Sequence, residues 1–97
     1  MSAFQIETTD NVTLVRLEGE LTIEEARALQ TALRVALCHP RELVIDPSAL
    51  RRIDAAALQV LLAATHAAPS ARIAPVPAPA WAAAIERYAL AAAFARN

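Results

Sequence analysis

The pattern of apolar and polar residues is most informative between residues 42 and 64. An apolar, mostly β-branched run at 43–45 is followed by the turn residues 46–48, which is typical of a buried strand that ends in a tight loop. Asp54 directly precedes a segment of strong helix formers, and aspartate is a preferred N-cap residue. The sequence therefore predicts a strand, a loop and a helix. The expected core face of that helix contains Leu58, Leu61, Leu62 and Thr65.

Before this stretch, the pattern predicts a hairpin and a helix. Residues 4–7 and 12–18 alternate between apolar and polar on either side of an Asp-Asn turn, as expected for two antiparallel strands. Gly19, the only glycine, follows the second strand. We expect it there to adopt a backbone conformation that residues with a side chain disfavour. Thr22 and Glu25 have the spacing of a capping box, with Thr22 as the N-cap of the first helix.

After residue 64, the pattern predicts a short last strand at 72–76 and a final helix that starts at 77–79. Pro75 cannot donate a ladder hydrogen bond, so this strand should be irregular or lie at an edge. The complete order is ββαβαβα. Strands that alternate with helices predict an α/β fold with a mixed four-stranded sheet and helices packed on it, in one domain over residues 1–97.

Composition and charge exclude several function classes. The formal net charge is −1, whereas a nucleic-acid-binding surface needs a basic excess. The single cysteine, Cys38, cannot form an intrachain disulfide, and neither His39 nor His66 has a carboxylate at metal-ligand spacing. Neither a phosphate-binding glycine loop nor a nucleophile beside a base is found, so we expect no catalytic residue, no metal and no cofactor. No apolar run is long enough to span a membrane and the start lacks a signal pattern, which predicts a cytoplasmic protein without direct membrane insertion.

Four local motifs resemble the STAS domain, a family named for sulfate transporters and anti-sigma factor antagonists. Residues 19–22 (Gly-Glu-Leu-Thr) are similar to the Gly-Glu-Leu-Asp motif that ends the family's hairpin. Residues 46–48 (Asp-Pro-Ser) are similar to its Asp-Leu-Ser motif, and residues 53–58 (Ile-Asp-Ala-Ala-Ala-Leu) to its aliphatic-Asp-Ser/Thr-small-Gly-Leu motif. Ala89-Leu90 with Phe94 resembles the family's terminal Gly-Leu and Phe. The resemblance implies a STAS-like fold over nearly the whole chain.

The resemblance also implies a function and shows one departure from it. In anti-sigma factor antagonists, a partner kinase phosphorylates the residue after the motif's Asp, but that position is Ala55, which has no hydroxyl. The family likeness therefore implies a non-enzymatic protein-binding module without the usual phosphoacceptor. Because the start of the second helix faces the partner in that family, the candidate partner-binding residues are Asp46, Ser48, Arg51, Arg52, Asp54, Ala55, Ala56 and Gln59.

Several partners and one other chemistry fit the same sequence. The implied partner is an anti-sigma factor kinase, a chemotaxis component, or the ATPase of a lipid-transport ABC system that has a small STAS subunit. A hypothesis of a different class is that the protein is a phosphoacceptor that uses Ser48 or Thr22. Arg51 and Arg52 are either solvated loop charges or contacts to acidic groups of the partner.

Overall fold

A computed structural model of the protein describes residues 3–94. Its elements are β1 (Phe4–Thr8), β2 (Val12–Leu21), α1 (Ile23–Ala36), β3 (Glu42–Ile53), α2 (Ala55–Ala67), β4 (Ser70–Ile73), α3 (Pro79–Arg87) and α4 (Ala91–Phe94). This confirms the predicted order ββαβαβα and adds the four-residue helix α4 at its end.

The four strands form one mixed sheet in the order β1-β2-β3-β4. The hairpin β1–β2 is antiparallel, while β2–β3 and β3–β4 are parallel. Parallel neighbours need a crossover connection, and α1 and α2 supply the two crossovers. The predicted α/β architecture with a mixed four-stranded sheet is therefore confirmed.

The core lies between one face of the sheet and the helices α1 and α2. On β2 the residues Val15 and Leu17 are fully buried, and on β3 Leu43 and Ile45 are fully buried. The buried side of α2 passes through Ala57, Leu58, Leu61 and Ala64. Leu62 and Thr65 are only half-buried, so the predicted core face of this helix was placed slightly too far round its axis.

The expected loop at residues 46–48 was wrong, because β3 continues to Ile53. The turn-like residues are accommodated within the strand, because its pairing with β2 shifts register twice. The first shift lies between Arg16 and Glu18, and the second between Gly19 and Glu20. Pro47 is fully buried and lies opposite the first shift, where its missing N–H removes no regular ladder bond. Gly19 has φ +61° at the second shift, a conformation that glycine adopts without strain.

The last strand also differs from its prediction. β4 covers residues 70–73 instead of 72–76, and the backbone N–H of Ala74 still donates to the carbonyl of Ile45 at 2.8 Å. Pairing ends there because Pro75 follows and has no N–H to donate. Beyond Ile45, β3 therefore has no strand on that side among the residues that the structure describes, and α3 packs against it instead.

Candidate partner-binding site

Asp54 connects the N-terminal ends of two helices. It is the N-cap residue of α2, and its carbonyl accepts the N–H of Leu58 at 3.1 Å. Its carboxylate does not cap its own helix. Instead, Oδ2 accepts the backbone N–H of Ile23, the first residue of α1, at 3.2 Å. Its own N–H donates to the carbonyl of Leu21 at 3.0 Å, so Asp54 binds both the end of β2 and the start of α1.

This arrangement corrects two cap predictions. Thr22 is the N-cap residue of α1 as predicted, but its hydroxyl makes no cap hydrogen bond, so the side-chain bonds of the expected capping box are not formed. Asp54 starts α2 as predicted, but its side chain serves the other helix. The bond from Asp54 to the other helix follows from the β2–β3 pairing, which puts Leu21 opposite Ile53 and brings the two helix starts together.

The first two turns of α2 present small and polar side chains to solvent. Ala55 and Gln59, one turn apart, are exposed, while Ala56 is half-buried against the core and Ala57 is fully buried. Because these side chains are short, a partner can approach the helix backbone closely. Ala55 is thus the candidate residue that a partner would contact with the least obstruction.

Ile23 is a candidate that the sequence analysis missed. Its side chain is 67% exposed although it is large and apolar, and its backbone is fixed by Asp54. Single exposed apolar residues are common, but the backbone N–H of this one is bound by Asp54, a predicted site residue. Its position off the buried stripe of α1, which runs through Ala26, Leu29 and Leu33, is the signal that could have identified it.

Arg51 and Arg52 lie near the end of β3, close to the start of α2. The Nε of Arg52 lies 3.8 Å from Oδ1 of Asp54, and its side chain is 67% exposed. A terminal nitrogen of Arg51 lies 3.8 Å from the position that a Cβ on Gly19 would occupy, so Arg51 crosses over β2 at the glycine. We call the group Ile23, Arg51, Arg52, Asp54, Ala55, Ala56 and Gln59 the helix-end surface.

Asp46 and Ser48 do not belong to this cluster. Asp46 pairs with Arg16 on β2 and Ile53 with Leu21, a separation of five β2 residues that corresponds to roughly 16 Å. The carboxylate of Asp46 accepts the N–H of Ser48 at 3.0 Å, so the two form a local turn within the bulged strand. Their predicted role in partner binding stays a prediction.

The remaining chemistry of the described chain is sparse. Among residues 3–94, no group of three histidine, cysteine, aspartate or glutamate side chains is arranged to hold a metal ion. Within that same range, every helix is too short or too polar to cross a bilayer.

Comparison with known proteins identifies the fold and the family. A family model described as "Mlab, STAS domain" matches residues 4–92. The crystal structure of an anti-sigma factor antagonist from Mycobacterium paratuberculosis superposes with a TM-score of 0.79 at 25% identity, over 98% of this chain and 88% of that one. The anti-sigma factor antagonist SpoIIAA in its unphosphorylated form gives a TM-score of 0.70 at 17% identity, over 91% of this chain and 83% of that one.

A more distant structure shares only the fold. The structure of Mglu gives a TM-score of 0.64 at 16% identity and covers 76% of this chain but 20% of that one. No curated protein sequence matches the chain. Because the family model covers most of the chain and the fold agrees with two anti-sigma factor antagonists, the protein belongs to the STAS domain family.

Proposed function

We propose that this STAS domain is a non-enzymatic, cytoplasmic module that binds a protein partner through the helix-end surface. The observation that carries the proposal is the exposure of Ala55 and Gln59 beside the exposed Ile23, at the place where Asp54 joins two helix starts. One exposed apolar side chain together with small and polar ones has the composition of a small interface core with a polar rim.

An anti-sigma factor kinase is the partner class that the comparisons favour. The superposed structure from Mycobacterium paratuberculosis is described as an anti-sigma factor antagonist, and it covers almost the whole chain. Since Ala55 has no hydroxyl, a kinase could not switch off binding by adding charge at this position. The protein would then remain competent to bind under conditions in which a phosphorylated relative is released.

Substitution of Ala55 by arginine tests the helix-end surface. A long, charged side chain at this exposed position should hold a partner away and weaken its binding by at least about tenfold, since the loss of close packing costs more than about 1.4 kcal/mol. The measurement is co-purification and titration calorimetry with the anti-sigma factor kinase encoded in the same genome. Ala28→Arg is the matched control, because Ala28 is an exposed helix residue outside the surface.

Unchanged affinity of the Ala55→Arg protein would contradict the proposal. Arginine near the positive end of α2 is expected to cost only about 0.3–1 kcal/mol of stability, so a thermal melt should show that the variant remains folded. Equal loss of binding by the Ala28→Arg control would show that the effect is not specific to the helix-end surface, which would also contradict the proposal.

The ATPase of a lipid-transport ABC system and a chemotaxis component are the alternative partners on the same surface. The matching family model is described by Mlab as well as by STAS, so it is not specific to sigma-factor regulation. Parallel titrations with the three candidate partners separate these possibilities, since only the cognate partner should respond to Ala55→Arg.

Phosphorylation of Ser48 or Thr22 is a competing chemistry. Ser48 is exposed and Thr22 is half-buried, so Ser48 is the more accessible hydroxyl. Intact-mass measurement after incubation with the kinase and ATP tests this, with Ala55→Ser as a positive control that restores the hydroxyl at the family position. A phosphoryl group on the protein that retains Ala55 would show that a phosphorylation switch is present. It would contradict the claim that the protein always remains competent to bind.

A further inference from the structure

A groove separates the end of β3 from α3. The strand β4 pairs with β3 only as far as Ile45, and α3 lies along the second half of β3 instead. Between them is an open cavity of about 320 Å³. We call it the arginine groove. Its lining includes Arg51, Arg52, Ala83, Ala84, Arg87 and Tyr88.

Positive charge lines both walls of this groove. Arg51 and Arg52 come from β3 and Arg87 comes from α3, while no acidic residue lines the cavity. Arg52 is paired with Asp54 at 3.8 Å, but within residues 3–94 no carboxylate forms a salt bridge with Arg51 or Arg87. Glu20 lies opposite Arg52 on β2, so Arg52 has two acidic neighbours. Arg51 and Arg87 keep their positive charge at a concave surface, where such charge attracts anions most strongly.

The apolar part of the groove has room for a chain. Ala84 is buried and Ala83 is small, so the floor beside α3 is shallow and free of long side chains. Tyr88 is 37% exposed, and the Arg87 guanidinium carbon lies 6.0 Å from the centre of its ring. This places an aromatic surface next to a cation. Guanidinium groups bind carboxylates with two parallel hydrogen bonds, and the aromatic ring can pack against an apolar side chain between them.

We propose that the arginine groove binds an acidic segment of the partner protein. Arg51 and Arg52 also belong to the helix-end surface, so the groove continues that surface along α3, and the inference rests on the proposed function in this respect. Guanidinium groups spread over two walls, with an aromatic ring beside them, fit carboxylates distributed along a peptide better than one compact anion. The groove would therefore supply charge recognition, while Ile23 and Ala55 supply close packing.

An NMR titration of the labelled full-length protein tests the groove without knowledge of the partner. The probe is a short, blocked peptide of alternating glutamate and leucine, with a lysine–leucine peptide and inorganic phosphate as separate arms. The acidic peptide should shift the amide signals of residues 51–53 and 80–88 and bind more weakly as salt is raised. Arg51→Ala/Arg87→Ala should weaken its binding about tenfold, which is the upper range for two exposed charge pairs.

Arg27→Ala/Arg34→Ala is the matched control, because both arginines are exposed on α1 and their removal changes the net charge equally. Equal loss in this control would show that only net charge matters, and absence of localised shifts would show that the groove does not bind acidic chains. Saturable phosphate binding with the same shifts would assign the groove to free anions. Each of these results overturns the inference.

The two proposals fail in distinguishable ways. If the acidic peptide does not bind but Ala55→Arg still abolishes binding of the kinase, the groove proposal fails and the helix-end surface remains. If the peptide binds the groove but Ala55→Arg has no effect on the kinase, the helix-end proposal fails alone.

Discussion

Replacement of Asp54 by alanine should destabilise the domain by about 2 kcal/mol. The carboxylate accepts the N–H of Ile23 at 3.2 Å, and a hydrogen bond to a charged group contributes about 1.5–3 kcal/mol. Its side chain is 32% exposed, so water takes over part of this contribution. The negative charge near two helix starts adds about 0.3–1 kcal/mol. The melting temperature should fall by roughly 10 °C, as expected for a chain of this size.

A double-mutant cycle isolates the hydrogen bond from these other effects. Ile23 is the first residue of α1, where proline is favoured, and Thr22 before it has the extended backbone that proline requires. Ile23→Pro therefore removes the N–H donor without distorting the helix. In this background, Asp54→Ala should cost at least about 1 kcal/mol less than in the unmodified protein.

Urea unfolding followed by the fluorescence of Trp81, the only tryptophan and 7% exposed, measures each corner of the cycle. Asp54→Asn keeps an acceptor but not the charge, so it should cost about half as much as Asp54→Ala. An equal cost of Asp54→Ala in both backgrounds would refute the assigned hydrogen bond. An Asn variant as unstable as the Ala variant would assign the effect to charge alone.

Three further substitutions, one of them with a control, test backbone and core features. Ala89 follows α3 with φ +54°, so Ala89→Gly should stabilise the domain by about 1 kcal/mol, whereas Ala82→Gly inside α3 should destabilise it by a similar amount in the same urea assay. The hydroxyl of Thr13 is buried and has no hydrogen-bond partner in residues 3–94, so Thr13→Val should raise the melting temperature by an amount equivalent to about 1 kcal/mol, and a decrease would contradict this. Gly19→Ala should lower the free energy of unfolding by about 1 kcal/mol, because alanine is strained at a φ of +61°. A Cβ there meets only Arg51 at 3.8 Å, so a much larger loss in calorimetry would contradict this explanation.

Local sequence signals predicted the elements well and their junctions poorly. The spacing of apolar residues identified all four strands and three helices, and Asp54 was correctly assigned as the start of α2. The hydrogen-bond partner of its carboxylate was missed because that choice depends on how β2 and β3 pair. A pattern of single residues shows that an N-cap is present but not which helix start lies within its reach.

The candidate site was predictable only where it is continuous in sequence. The candidates between residues 51 and 59 lie near the start of α2, and their role in binding stays a prediction, whereas Ile23 and Arg87 reach the same region from other elements. Asp46 and Ser48 were grouped with them because residues 46–48 have turn chemistry. The bulged strand β3 keeps them apart, and bulges depend on pairing with a neighbour that a local pattern does not contain.

The contact between Asp54 and Ile23 has a consequence for synthesis on the ribosome. These residues are 31 positions apart, and the parallel partner of β2 is translated only after α1. The nascent hairpin therefore leaves the ribosome with one side of β2 unpaired, and such an edge can associate with other chains. Closure of that edge and fixation of the start of α1 become possible together, once residue 54 has left the ribosome.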